Sequence, residues 1–471
     1  MLNTDLQGDR SKTRGSWMWS FNGLGIDISL AVDRSNPVGR VLSRLNAMPD
    51  RFYWRAMIVT AIAMVCVWLR CTTILSHATF WGEDGWVWYP TCYNQGWTCL
   101  LVPHSGYLQT ESMLTALVSQ WFSLINAPNV FAWVALLIQA APAAFLLSHR
   151  MAEAIPSKGI RLVLAALLIA IPGMQEVYVN TTDSQWHLPL LAFLILTAAA
   201  PRNTVEKIFD TLVLVISGLS GPFSVFLALP ALLWWFYRRT PWNVWRASLV
   251  IVTALIQIGV VLAHQASRGS GVPMGATIPT FDTIMMVKII GVATIGAQTI
   301  VTNFWDYGQG WLSSGHPWPV VVATILTLLV IALTVLAFLR GPLILKGFLI
   351  FAWSEFAASL LDSLPLPGMT MWHALEITIA YRYAFHPICA WLVVLVACAA
   401  SGIRPARWIG FALLACTVFV AIPADWYLNP LPKQTYRDFH HDAKVFAKAK
   451  PGTTMSFPVR PMNTPMTLVK N

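Results

Sequence analysis

Charge is what this chain has least of. Only 11% of its 471 residues are Asp, Glu, Lys or Arg, against 56% hydrophobic, and mean hydropathy is +0.60. A soluble globular domain carries roughly a quarter charged residues, so that class is excluded. Ten-residue stretches of alternating polarity are also missing, which argues against a transmembrane β-barrel. No sequence repeat or domain-scale linker is evident. No cleavable signal peptide is seen either, because the N-terminus is polar and basic for about fifty residues. The first span is then expected to act as an uncleaved membrane signal. The net charge of +10 does not point to nucleic acid. Most Lys and Arg fall between apolar runs or in the tails, where they orient loops toward the cytoplasm.

What is there is a series of apolar runs of about 15–22 residues, the pattern of an all-α polytopic membrane protein. Residues 1–55 are expected to be a cytoplasmic basic segment with an interfacial helix near 41–51. The first span is 56–75, with Arg70 near its outer end as a snorkelling anchor. Arg150, Lys158 and Arg161 place 149–161 inside, so one crossing lies between the first outer loop (76–128) and that segment. The stretch 129–148 fits the crossing. In 109–126, Met113, Leu114, Leu117, Trp121, Phe122 and Ile125 share a face while Glu111, Thr115, Ser119 and Ser123 lie elsewhere, which suits a helix along the outer membrane surface. Further spans near 162–178, 186–200, 208–220, 222–237, 247–264, 318–339, 347–361, 384–400 and 408–423 bring the total to about eleven crossings. Arg238, Arg239 and Arg246 mark an inner loop, and 283–301 is left interfacial or re-entrant. The transmembrane domain is thus 56–423. Segment 424–471 comes out external despite its basic residues, with FPVRPMNTPMTL as a short extended element.

The stretch 80–107, FWGEDGWVWYPTCYNQGWTCLLVPHSGY, stands apart. Five of the 23 Trp fall between Trp81 and Trp121, and aromatic rings favour the membrane–water boundary. The pair Glu83-Asp84 sits among them, beside Gly85, which lets a ligand approach closely. Cys92 and Cys99 lie in this loop; in an oxidising compartment they form a small disulfide ring, and otherwise they are two unpaired thiols. The other five cysteines read as small apolar residues. The remaining polar groups expected on the outer side are His104, Tyr107, Asn180, Asp183, Gln185, His187, His316, His373 and Tyr381-Arg382-Tyr383. Adjacent histidines such as His440-His441 cannot share one ion on a regular helix, and no metal is expected.

The pattern resembles the GT-C superfamily of membrane glycosyltransferases, which take sugars from polyprenyl-phosphate carriers. The resemblance lies in the acidic pair of GEDG (82–85), the amphipathic helix after that loop, the many spans and the external C-terminus. More narrowly, EDGWVWYPTCYNQG (83–96), HSGYLQ (104–109), NTTDSQWHL (180–188), GLSGPF (218–223), YRY…P (381–387) and FPVRPMNTPMTL are similar to bacterial members that decorate surface glycans or pilins. The resemblance implies Asp84 as catalytic base, with Glu83 second, because a sugar hydroxyl needs a carboxylate to take its proton. It implies Arg382, braced by Tyr381 and Tyr383 and joined by His104, as the donor-phosphate site. Tyr107, Asn180, Gln185, Trp186 and His187 are the expected substrate contacts, with Trp186 stacking on a sugar face. Lipid-linked sugar, a glycan or protein acceptor and membrane lipids are the expected partners, with no cofactor. The location implied is the bacterial inner membrane, with the N-terminus cytoplasmic and the C-terminus periplasmic. The rival readings are a lipid-linked glycan flippase or other transporter, for which Glu355 inside a span is the main feature, and a membrane acyltransferase.

Overall fold

The computed structural model describes residues 54–174, 176–178, 180–264, 272–303, 317–363, 368–376, 381–428, 433–459 and 464–470. The expectations for residues 1–53 and for His316 lie outside these. The fold is nearly all-α, and its longer helices are α1 (Trp54–Trp68), α2 (Thr110–Ser119), α3 (Ala127–Leu146), α4 (Lys158–Ile169), α5 (Ser184–Thr197), α6 (Thr204–Gly218), α7 (Phe223–Tyr237), α8 (Pro241–Ala263), α9 (Ile278–Ile295), α10 (Val320–Arg340), α11 (Leu343–Leu361), α12 (Tyr381–Ala399), α13 (Arg404–Asp425) and α14 (Lys433–Lys448). Seven of these, α3 and α8 through α13, are long and apolar enough to cross a membrane, while α1, α5 and α7 are apolar but shorter. The chain is a multi-pass membrane protein by this measure. The stretches expected to cross at 162–178 and 208–220 hold only α4, of 12 residues, and α6, of 15. At 1.5 Å per residue these cover roughly 18 and 22 Å, short of a hydrocarbon core of roughly 30 Å. Segment 283–301 instead belongs largely to α9, which is long enough to cross and ends at Gly296 in the left-handed region (φ 87°).

Caps define several helix starts. Thr240 accepts from the Asn243 amide (3.2 Å) ahead of Pro241, Ser157 from Ile160 (3.2 Å), and Asn203 from Glu206 (3.0 Å). Each satisfies an amide that has no partner within its helix. The apolar core joins α7 to α8 and α11, α1 to α3, and α12 to α13.

Two arginine knots correct the sequence reading. Arg70 does not snorkel. It is buried, donating to the carbonyls of Ile169, Ile171, Asp425 and Trp426, with its guanidinium 4.4 Å from the Tyr178 ring centre. Four converging carbonyls replace the headgroups as its hydration. Likewise Arg150 and Arg246, read as loop-orienting charges, are buried on Asp210, which receives Arg150 Nη1 and Nη2 at 2.7 Å each and Arg246 Nη2 at 2.7 Å.

A second, separate core joins the segment 80–131 to the C-terminal segment. Phe80, Trp88, Tyr89, Cys92, Cys99, Met113 and Phe131 pack with Phe439, Phe446, Phe457, Val459, Met466 and Leu468. Residues Thr454–Pro458 (β1) and Pro465–Val469 (β2) form an antiparallel pair with Phe457 opposite Met466. Phe457, Met466 and Leu468 point inward by the two-residue strand period. The loop and the C-terminal segment therefore sit at one end of the molecule, on the same face.

Candidate functional site

Asp84 opens a π-helical turn, Asp84–Trp88, that follows Gly82 in the left-handed region (φ 51°). Such turns re-aim side chains and recur at functional sites. Its carboxylate is buried, and Oδ1 accepts from the Thr182 amide and hydroxyl at 2.8 Å each, Oδ2 from the Thr181 amide at 3.2 Å. Trp88 Nε1 donates to the same Thr182 hydroxyl (3.0 Å). The NTTDSQWH loop thus meets the acidic pair directly. Burial pushes the Asp84 carboxyl up to about 7, against the pull of Thr182 and Thr181, while the Glu83 charge adds to the rise. Glu83 is half-buried, and its side chain makes no hydrogen bond among the described residues.

Two further carboxylates stand close enough to act on this pair. Asp183 is buried and held well above the usual carboxylate range by desolvation and by the charges of Glu83 and Asp84. Glu111 rises to about 8 through burial and the Asp84 charge, countered by weak bonds from Ser112 and Thr115 (3.3 Å each). The sequence placed Glu111 on the polar side of a surface helix. In the structure α2 is buried on its Glu111, Ser112, Thr115 and Ser119 side as well as at Met113 and Leu117, and Trp121 and Phe122 are exposed beyond its end. The signal available was the run of hydroxyls at helical spacing around one acid, which can satisfy a carboxyl inside a protein.

His104 lies edge-on to Trp88 (4.9 Å between rings), and burial lowers its pKa. It pairs with Tyr107 across a turn whose middle residues, Ser105 and Gly106, both have positive φ. From there the chain runs against GLSGPF: Gly221 N donates to Leu108 O (2.9 Å), Thr110 N to Leu219 O (3.1 Å), and Gln257 of α8 binds both Leu108 and Gly221. Gly221 has φ 83°, and a Cβ there would come within 2.8 Å of Gln185 Oε1.

At the other side of the same loop, Arg382 pairs with Glu176, and both side chains are about a quarter exposed (25% and 28%). Tyr383 braces Arg382, whose guanidinium lies 5.1 Å from its ring centre. Tyr381 does not; its ring carries the Lys288 ammonium at 4.2 Å instead. Glu176 went unnoticed in the sequence, and nothing in its surroundings there singled it out.

The expected sugar contacts are enclosed. Asn180 works within its own turn, donating to Glu176 O (2.7 Å) and accepting from Asp183 N (2.7 Å). Gln185 is buried, its Oε1 without a hydrogen bond among the described residues. Trp186 packs against Phe223, Tyr383 and His386 at 4.9, 5.9 and 5.7 Å, so its indole presents no face for a pyranose. His187 lies between Tyr178 and Phe385 (5.1 and 4.6 Å). Cys92 and Cys99 are joined as a disulfide with Cα atoms 5.1 Å apart. An apolar cavity of about 90 Å³ lined by Leu146, Ile160, Leu190, Phe348 and Leu392 includes none of these residues. Among the described residues, no three His, Cys, Asp or Glu side chains converge as metal ligands. Neither a protein-family model nor a curated protein matches this chain.

Proposed function

We propose that the chain is an inverting glycosyltransferase that moves a sugar from a polyprenyl-phosphate carrier to an acceptor hydroxyl at the non-cytoplasmic face of a bacterial inner membrane. One observation supports this above the rest. A single loop holds both candidate reacting groups, with Thr181 and Thr182 on Asp84 and Glu176 on Arg382. The chain from 176 to 181 spans at most about 17 Å even if fully extended. A carboxyl that titrates near neutrality is suited to accept the proton of an attacking hydroxyl. A guanidinium beside the departing lipid phosphate offsets the charge that develops there. Attack opposite that phosphate inverts the anomeric carbon. Glu176 neutralises Arg382 at rest, so phosphate binding requires the cation to exchange partners.

Asp84 is the assigned base and Glu83 the alternative, since three donors already occupy Asp84 while Glu83 is half-buried. The test uses purified protein and a polyprenyl-phosphate sugar, following acceptor-dependent release of polyprenyl phosphate. Asp84→Asn is expected to fold and lose transfer by at least ~100-fold. Full activity in both Asp84→Asn and Glu83→Gln rejects the proposal. The flippase reading draws on the buried Glu355 and His386, which face each other between α11 and α12. Donor movement across vesicles without sugar transfer selects it.

A further inference from the structure

Helix α11 sends Glu355 into the interior and α12 sends His386, at 2% and 0% exposure. His386 Nε2 lies 2.9 Å from the Trp186 carbonyl. A carbonyl oxygen only accepts, so Nε2 carries a proton. The other ring nitrogen, Nδ1, faces Glu355 Oε2 at 3.5 Å, and neither atom makes a hydrogen bond among the described residues. Phe351, Phe385, Phe223 and Trp186 stand 4.8, 5.3, 5.5 and 5.7 Å from the imidazole, ring to ring. In such apolar surroundings a bare nitrogen lone pair opposite a bare carboxylate is strongly unfavourable. A proton held by the pair, on the imidazole beside a carboxylate or on the carboxyl beside a neutral ring, removes that clash. Either way the dyad is net neutral, and Ser359 completes it by donating to Glu355 Oε1 (3.0 Å).

The dyad holds the far end of the turn that binds Asp84. Trp186 N donates to Asp183 O (3.1 Å), Ser184 N to Thr181 O (3.0 Å), and Asp183 N to Asn180 Oδ1 (2.7 Å). These short-range bonds tie residues 180–186 into one turn, and the Thr181 and Thr182 amides on Asp84 belong to it. We propose that Glu355 and His386 form a one-proton latch on the Trp186 carbonyl that positions the Thr181 and Thr182 amides against Asp84. Both are positioning residues. The idea rests on Asp84 being the working carboxylate of the proposed transfer, but its readout needs no transfer.

A hydrophobic carbodiimide reacts with protonated carboxyls in apolar surroundings, and peptide mass mapping reads the adduct. Asp84 labelling is followed against pH in the full-length purified protein. The groups whose charges act on Asp84 or its neighbours, Glu83, Glu111, Asp183 and His104, stay the same in every variant. The wild-type midpoint is expected near pH 7. His386→Phe keeps a ring but loses the donor, and Glu355→Leu removes the proton's second home. Each is expected to raise the midpoint by about one unit or more as the amides slacken. Glu355→Gln keeps the latch, because its amide N–H donates to Nδ1 while Nε2–H stays on the carbonyl, and its midpoint is expected to match wild type. A wild-type midpoint in His386→Phe and Glu355→Leu overturns the latch, as does Glu355→Gln behaving like Glu355→Leu. Shifted midpoints in a protein that transfers no sugar keep the latch and discard the transferase.

Discussion

Thr182 meets Asp84 twice, through its amide and through its hydroxyl, each at 2.8 Å. The hydroxyl also accepts from Trp88, so one oxygen links the acidic turn, the aromatic loop and the NTTDSQWH segment. Thr182→Val keeps the shape and removes that oxygen, leaving Trp88 Nε1 without its acceptor and Asp84 with one donor fewer. A loss of about 1–3 kcal/mol is expected, because buried polar groups lose their partner. The Asp84 midpoint is expected to rise above 7, since the Thr182 hydrogen bond opposes the rise. Denaturant unfolding in detergent and the pH dependence of carboxyl labelling measure the two effects. A neutral result in both assigns the hydroxyl no role.

Glu111 gives the pH dependence of stability a definite sign. Its folded pKa, about 8, lies above the ordinary 4.5. Its contribution is fully present below the unfolded value and is lost as pH rises through 8. Glu111→Gln cannot ionise, so it is expected to match wild type near pH 4 and to exceed it above pH 8, by an amount on the order of a few kcal/mol. Thermal unfolding across pH 4 to 9 tests this, and parallel curves for the two proteins refute it.

The sequence showed the apolar runs, the acidic pair and the extended C-terminal element, because each is a local pattern. Partners distant in the chain were not legible. Arg70 looks like a surface anchor and Arg246 like an inner-loop charge until Ile169, Asp425 and Asp210 are seen to meet them. Glu111 looks solvated until α2 is docked, since helical periodicity separates two faces without saying that both are covered, Met113 and Leu117 on one and Glu111 and Thr115 on the other. Trp186 looks like a sugar platform until Phe223, Tyr383 and His386 close around it.

Asp210 is the centre of the knot that also receives Trp242 Nε1 at 3.1 Å. Asp210→Asn leaves Arg150 and Arg246 as buried cations beside the carbonyls of Ala198 and Ala199, the Asn243 side chain and, 3.9 Å from Arg150 Nε, the Glu206 carboxylate. Breaking a buried ion pair from one side costs about 3–5 kcal/mol. The variant is expected to aggregate or to be cleaved during extraction, which size-exclusion profiles and limited proteolysis report. A wild-type unfolding midpoint instead means that the remaining partners suffice for both guanidinium groups without Asp210.

Gly85 tests whether the C-terminal segment is part of the site. A Cβ at this position would lie 2.7 Å from Val459 Cγ2 and 2.8 Å from Phe80 Cβ, closer than methyl groups can approach. Phe80 is fixed by Tyr89, Phe131 and Phe439 around it, so Val459 and the adjoining strand must yield. Gly85→Ala is therefore expected to cost about 1–3 kcal/mol by overpacking, and to loosen 454–469 while the spans stay folded. Pulsed proteolysis is expected to cut the C-terminal segment sooner, and amide exchange to rise at Phe457 and Leu468. Val459→Ala removes the two methyls and leaves the 2.8 Å approach to Phe80 Cβ, so the double variant is expected to recover part of the protection lost in Gly85→Ala, a coupling that only residues in direct contact produce. Additive effects of the two substitutions mean that the strand does not rest on the acidic turn.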